Sequence, residues 1–143
     1  MSTATHYPTT PELAAEVADQ LNYNTDGLIP AIAQQNTADG KGGEILMMAW
    51  MNREAVVETL TNARVCYYSR SRQKLWRKGE SSGQEQSLID FRWDCDQDTV
   101  VMLVEQKGVA CHTGRHNCFF NAVRDGKVQI IADVEISPDD LYG

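Results

Sequence analysis

Hydrophobic positions along the chain change their period several times, and each change marks an element. Between Pro11 and Leu21, the residues Leu13, Val17 and Leu21 recur every four positions, which is the stripe of a short helix. Thr9 or Thr10 supplies its cap, and Pro11 suits its first turn. Leu28 to Ala33 reads as a strand, edge or bulged because of Pro30. Residues 36 to 43 carry Asp39-Gly40 and Gly42-Gly43 and form a turn. Glu44 to Trp50 follows as a buried strand, pairing with the first as a hairpin. Asn52 caps a second helix through about Thr61, with Val56 and Leu60 inward. Arg64 to Ser69 is another strand.

Residues 70 to 84 are polar and glycine-containing, a loop of the kind that carries function. From 86 to 95 the chain alternates. Ile89, Phe91, Trp93 and Cys95 share one apolar face, with Asp90, Arg92, Asp94 and Asp96 on the other. Thr99 to Glu105 is a buried strand. Phe119 to Val123 and Val128 to Ile131 flank Asp125-Gly126, a tight hairpin turn. The pattern gives an α+β fold: a small, mostly antiparallel sheet with two or more short helices. Residues 1–24 form an N-terminal extension holding a short helix behind a flexible first ten residues. Residues 25–136 form the main domain, and 137–143 a short acidic tail.

Composition narrows the partners. The chain has 143 residues, 13 basic against 20 acidic, for a net charge of −7. A general nucleic-acid binder would be basic overall instead. The longest apolar run, Ile45 to Met51, is far below the roughly 20 residues of a membrane span. No signal peptide is legible at the N-terminus, so the expected location is the cytoplasm. In that reducing compartment, cysteines near Asp and His read as metal ligands rather than disulfides. Cys66 stands apart and reads as a small buried hydrophobe.

Three constellations carry chemistry. Cys95, Cys111 and Cys118 are soft ligands for zinc. Two thiolates on one zinc stand roughly 3.8 Å apart, so the seven-residue spacing of Cys111 and Cys118 requires a folded-back loop, for which Gly114 supplies the freedom. Three thiolates leave a position open for water, as catalytic zinc needs. A closed structural site with His112 or His116 as fourth ligand fits the spacing equally well. Asp94, Asp96 and Asp98 alternate along the chain, share a face in an extended strand, and suit a hard cation such as Mg²⁺. Arg64, Arg70, Arg72, Lys74, Arg77 and Lys78 form a local positive island in an acidic chain. Serine hydroxyls and the rings of Tyr67, Tyr68 and Trp76 lie among them, as for a phosphate-bearing nucleotide.

Several ordered motifs together resemble the phosphoribosyl-AMP cyclohydrolase family of histidine biosynthesis, over about residues 25 to 124. They are Asp26-Gly27-Leu28-Ile29-Pro30-Ala31, Leu46 to Asn52, Tyr68-Ser69-Arg70-Ser71-Arg72, Leu75 to Gly83, Asp94 to Asp98, Val104-Glu105-Gln106, Ala110 to Gly114, and Cys118-Phe119. The resemblance implies hydrolytic opening of the N1–C6 bond of the adenine ring in phosphoribosyl-AMP. It also implies an intertwined homodimer with a zinc site shared between subunits and one Zn²⁺ and one Mg²⁺ per subunit. Matching positions give Cys95, Cys111 and Cys118 for zinc and Asp94, Asp96 and Asp98 for Mg²⁺. Zinc would polarise a water for attack on the ring, and His112, beside a ligand, is the expected acid/base. Arg70, Ser71, Arg72, Trp76 and Lys78 are the expected substrate contacts. Some members carry a fused pyrophosphohydrolase domain, and this chain is expected to be monofunctional.

Other classes fit less well. A zinc base deaminase would show His-x-Glu and Pro-Cys-x-x-Cys, a thiol redox protein Cys-x-x-Cys, and neither pattern occurs. A zinc-stabilised nucleic-acid module conflicts with the charge and with the three acids.

Overall fold

The computed structural model describes residues 8–142. Two helices, α1 (Pro11–Gln20) and α2 (Arg53–Asn62), pack on each other, and α2 packs on the sheets. Eight strands follow chain order: β1 (Ile29–Gln35), β2 (Ile45–Met51), β3 (Cys66–Ser69), β4 (Lys74–Arg77), β5 (Gln86–Trp93), β6 (Val100–Gln106), β7 (Asn121–Arg124) and β8 (Lys127–Ile130). A last short helix, α3, spans Pro138–Tyr142. The main sheet has the order β2-β1-β6-β5, and β3-β4 and β7-β8 are separate hairpins. Within the main sheet β1–β2 and β5–β6 are antiparallel and β1–β6 is parallel. The α+β class and the mostly antiparallel pairing therefore stand.

Both expected caps form. Thr10 Oγ1 accepts from the Leu13 amide at 3.2 Å, and Asn52 Oδ1 from the Ala55 amide at 2.9 Å. The inward face of α1 is rotated from the expected one. Ala14, Ala18 and Leu21 are buried, whereas Leu13 is half exposed, because small side chains let α1 lie close on α2. The first ten residues, expected from the sequence to be flexible, fall mostly outside the described range. Within it, the Thr9 amide already binds the Leu60 carbonyl at 2.8 Å.

Three strand expectations are corrected. β1 is a central strand rather than an edge, and Pro30 is tolerated because pairing with β6 begins only at Ala31. The bulge in β1 lies at Ala33/Gln34 instead. β2 is an edge strand with Ile45 and Met48 exposed. The segment 70–84 is not one loop. It contains β4, whose Trp76 pairs with Tyr67 across the hairpin, ring centroids 5.4 Å apart.

In β5 a bulge at Ile89 breaks the alternation, so Leu88, Phe91 and Trp93 pack on the core. The strand ends at Trp93, which leaves Cys95 in an exposed turn rather than on an apolar face. Asp125 and Gly126 both take positive φ, 55° and 73°, as a two-residue hairpin turn demands. Cys66 is buried, as expected.

Tyr67 belongs to the core, not to a binding face. Its hydroxyl donates to Gln86 Oε1 at 2.7 Å, and Gln86 Nε2 donates to Gln106 Oε1 at 2.8 Å. Gln106 Nε2 in turn donates to the carbonyls of Lys107 and Val109. This buried amide chain holds the run that leads into Cys111. Tyr67→Phe leaves the Gln86 oxygen without its donor, and is expected to lower unfolding stability by about 1–3 kcal/mol. The urea midpoint reads this.

Candidate active site

The segment from Ala110 to Cys118 reverses on itself. The Ala110 amide bonds the His116 carbonyl at 3.0 Å, the Cys111 amide the Arg115 carbonyl at 3.2 Å, and the Gly114 amide the Cys111 carbonyl at 3.0 Å. Gly114 takes φ +88°, a conformation few other residues accept. The reversal brings Cys118 close enough to Cys111 for the two thiols to act on each other. Thr113 Oγ1 also donates to Cys111 Sγ at 3.1 Å. Burial and the neighbouring Cys111 push the Cys118 thiol up to about 12. The far end of the loop is tied to β2. The Cys118 amide bonds the Leu46 carbonyl at 2.8 Å, while His116 and Asn117 both contact the Glu44 carboxylate.

Lys78 sits under this loop. Only 8% exposed, it donates from Nζ to the Ala110 carbonyl at 2.7 Å and lies 5.5 Å from the Trp76 ring centroid. Burial lowers its pKa, and the charges of Cys118 and Cys111 as thiolates oppose that. The side chain expected to grip phosphate thus braces the cysteine loop while lining the pocket beside it.

The carboxylates meet by a different route from strand alternation. After β5 the chain turns, with Gln97 at φ 65°. The Gln97 amide bonds the Asp94 carbonyl at 3.0 Å, and the Asp98 amide bonds Asp94 Oδ1 at 3.0 Å. One carboxylate oxygen from each of Asp94, Asp96 and Asp98 lies within 4.8 Å of the others. Their crowding pushes the Asp98 carboxyl above its usual range, chiefly through the hydrogen bond and charge of Asp94. Among the described residues this is the sole cluster of three or more potential metal-ligating side chains. Cys95 therefore does not join Cys111 and Cys118 within one chain.

A pocket of about 390 Å³ opens beside the cysteine loop. Ala49 and Trp50 of β2, Tyr68 and Ser69 of β3 and Trp76 of β4 form its walls. Arg72, the turn Lys78 to Ser82, His112 and Tyr142 complete it. Of the expected substrate contacts, Arg72, Trp76 and Lys78 line it, as does the exposed His112. Arg70 and Ser71 do not. Arg70 lies over the Trp50 ring at 5.0 Å and lines a neighbouring cleft, and Ser71 is exposed in the hairpin turn.

The positive island separates. Arg77 pairs with Glu58, Arg64 with Glu85, and Lys78 is buried. Among the described residues Arg70, Arg72 and Lys74 have no carboxylate partner. Sequence reasoning missed Trp50, Glu80 and Tyr142. Trp50 had a signal in the expected β2 strand, whereas nothing local marked Tyr142.

Comparison with known proteins gives one family. The profile described as Phosphoribosyl-AMP cyclohydrolase matches residues 47–120. A Phosphoribosyl-AMP cyclohydrolase of Rhodospirillum centenum is 58% identical over 124 residues, covering 87% of this chain and 90% of its own. Phosphoribosyl-AMP cyclohydrolase 2 of Pseudomonas fluorescens is 60% identical over 116 residues, 81% of this chain and 76% of its own. The Gluconobacter oxydans protein of the same name is 50% identical over 139 residues, 97% and 86% respectively.

The Arg77–Glu58 pair is bidentate, with two contacts of 2.8 Å. Its hydrogen bond to Arg77 holds the Glu58 carboxyl below its ordinary value, against burial. A carboxyl depressed by folding contributes stability above its unfolded pKa, about 4.3, and loses that contribution as pH falls through the folded value. Glu58→Gln is therefore expected to be less stable than the parent at pH 7 and to show a flatter loss of stability below about pH 4.5. Thermal unfolding across pH checks both.

Proposed function

The chain belongs to the phosphoribosyl-AMP cyclohydrolase family, and from that premise we propose that it hydrolyses the N1–C6 bond of the adenine ring of phosphoribosyl-AMP in histidine biosynthesis, using zinc and Mg²⁺. The observation that carries the reading is the closed loop that pairs Cys111 with Cys118 at the edge of an aromatic, cation-bearing pocket.

The donor sets fit the two ions. Two adjacent thiols suit zinc, and three clustered carboxylates suit Mg²⁺. One chain brings two thiols together, so the third, exposed Cys95, would come from a second copy. Zinc bound by these thiols would supply Lewis acidity that makes a water nucleophilic. The remaining work belongs to the chain. Lys78 fixes Ala110 and so the approach to Cys111. Trp50, Tyr68 and Trp76 give the ring apolar walls that shed water. His112 moves a proton between the attacking water and the departing ring nitrogen. Arg72, with Arg70 at the adjoining cleft, meets phosphate, while Asp94, Asp96 and Asp98 hold Mg²⁺.

A homodimer would fit the same logic, and the surface supports it. Val123 and Val128 of the β7–β8 hairpin are 78% and 75% exposed, and Phe119, Ile130 and Ile131 in and beside it are exposed as well. An isolated two-stranded ribbon is marginal in water. A second copy would cover it and bring the missing thiol. Among the described residues no helix is long and apolar enough to cross a membrane.

Hydrolysis of phosphoribosyl-AMP, followed before and after chelation and during stepwise return of Zn²⁺ and Mg²⁺, tests the reading. Turnover is expected to vanish on chelation and to need both ions. Cys111→Ser is expected to lose bound zinc and activity, while Asp96→Asn keeps zinc and raises the Mg²⁺ requirement. A folded, metal-supplied protein without turnover, or unchanged zinc content in Cys111→Ser, would overturn it.

A further inference from the structure

Helix α3 has no part in the reading above, yet the backbone carries it to the pocket. Arg115 Nε donates to the Ala132 carbonyl at 2.9 Å. The Gly114 carbonyl accepts from the amides of Glu135 at 2.8 Å and Ile136 at 3.1 Å. A Cβ on Gly114 would strike the Ile136 carbonyl, so the close approach depends on glycine. Residues 132–136 are thus stitched to the loop that carries Cys111 and Cys118.

Ser137 then starts the helix. Its carbonyl accepts from the Asp140 and Leu141 amides at 2.9 and 3.1 Å, and its Oγ from the Asp139 amide at 3.3 Å. Leu141 is buried and pins the helix to the body. Neighbouring helical residues diverge by about 100°, so anchoring Leu141 turns Tyr142 another way. Tyr142 is 57% exposed and lines the pocket opposite no partner of its own among the hydrogen bonds of the described residues. A tyrosine presents a rigid flat face at low entropic cost, which suits it to stack on a ring.

We propose that Tyr142 is a substrate-contacting, specificity-determining residue whose phenol ring packs on a ring of the bound purine nucleotide. The proposal rests on the reading of the pocket as a nucleotide site. Exposure of the side chain and anchoring through Leu141 mean that replacing Tyr142 leaves the fold intact.

The test compares the full chain with Tyr142→Ala and Tyr142→Phe. Steady-state kinetics give KM and kcat on phosphoribosyl-AMP, and quenching of the pocket tryptophans, Trp50 and Trp76, gives the Kd for AMP. Tyr142→Ala is expected to raise KM and the AMP Kd roughly ten-fold, with kcat within about two-fold, because a lost stacking contact weakens binding rather than the chemical step. Tyr142→Phe is expected to restore both, since the ring and not the hydroxyl makes the contact. Equal Tm values for the three chains separate this from a folding effect. Unchanged KM and Kd in Tyr142→Ala would overturn the proposal. Should the parent chain fail to turn over phosphoribosyl-AMP while Tyr142→Ala still weakens AMP binding, the assigned reaction fails and the Tyr142 contact stands.

Discussion

Cys111 and Cys118 stand seven residues apart, and a chain brings such a pair to one point only by reversing direction between them. The reversal is the constraint on which the surrounding structure depends. Four sets of contacts from three separate segments hold it closed. Lys78 caps the Ala110 carbonyl from below, β2 binds Cys118 through Leu46, Glu44 ties down His116 and Asn117, and residues 132–136 lie across Gly114. Each of these is remote in sequence from the loop. Losing the Lys78 contact would leave buried polar groups unpaired, and losing any of them would loosen the thiol pair.

The pocket grows out of the same arrangement. Lys78 directly follows β4 at the foot of the loop, so the β3–β4 hairpin that carries Tyr68, Ser69, Arg72 and Trp76 is held beside it. Edge strand β2 supplies Trp50 on the other side. Acidic and thiol donors are kept apart within one chain, with the carboxylate cluster and Cys95 in the exposed β5–β6 turn and the thiol pair behind the pocket. A second copy placing its β5–β6 turn at the thiol pair would set soft and hard ions side by side.

Features governed by neighbours in sequence were legible: the Thr10 and Asn52 caps, the Asp125-Gly126 turn, the inward Val56 and Leu60, and the need for a reversal at Gly114. Features set by distant partners were not. Burial of Ala14 and Ala18 in place of Leu13 follows from how closely α1 and α2 pack. The bulge at Ile89 follows from pairing with β6. Positive φ at Gln97, which gathers the three aspartates, has no mark in the residue type. Lys78 reads as one more cation in a basic run, because burial by Ala110 and the cysteine loop arises only on folding. Asp94, Asp96 and Asp98 meet through a turn and not on a strand face, and Cys95 stays apart from Cys111 and Cys118 within one chain.

The claim that joins fold to function is that each chain holds an incomplete thiol site. Native mass spectrometry of the zinc-loaded protein tests this most directly, because it reads metal and subunit number on the same ion. The account predicts one zinc ion per chain on the dimer and none retained on the monomer. A monomer that keeps zinc would contradict it.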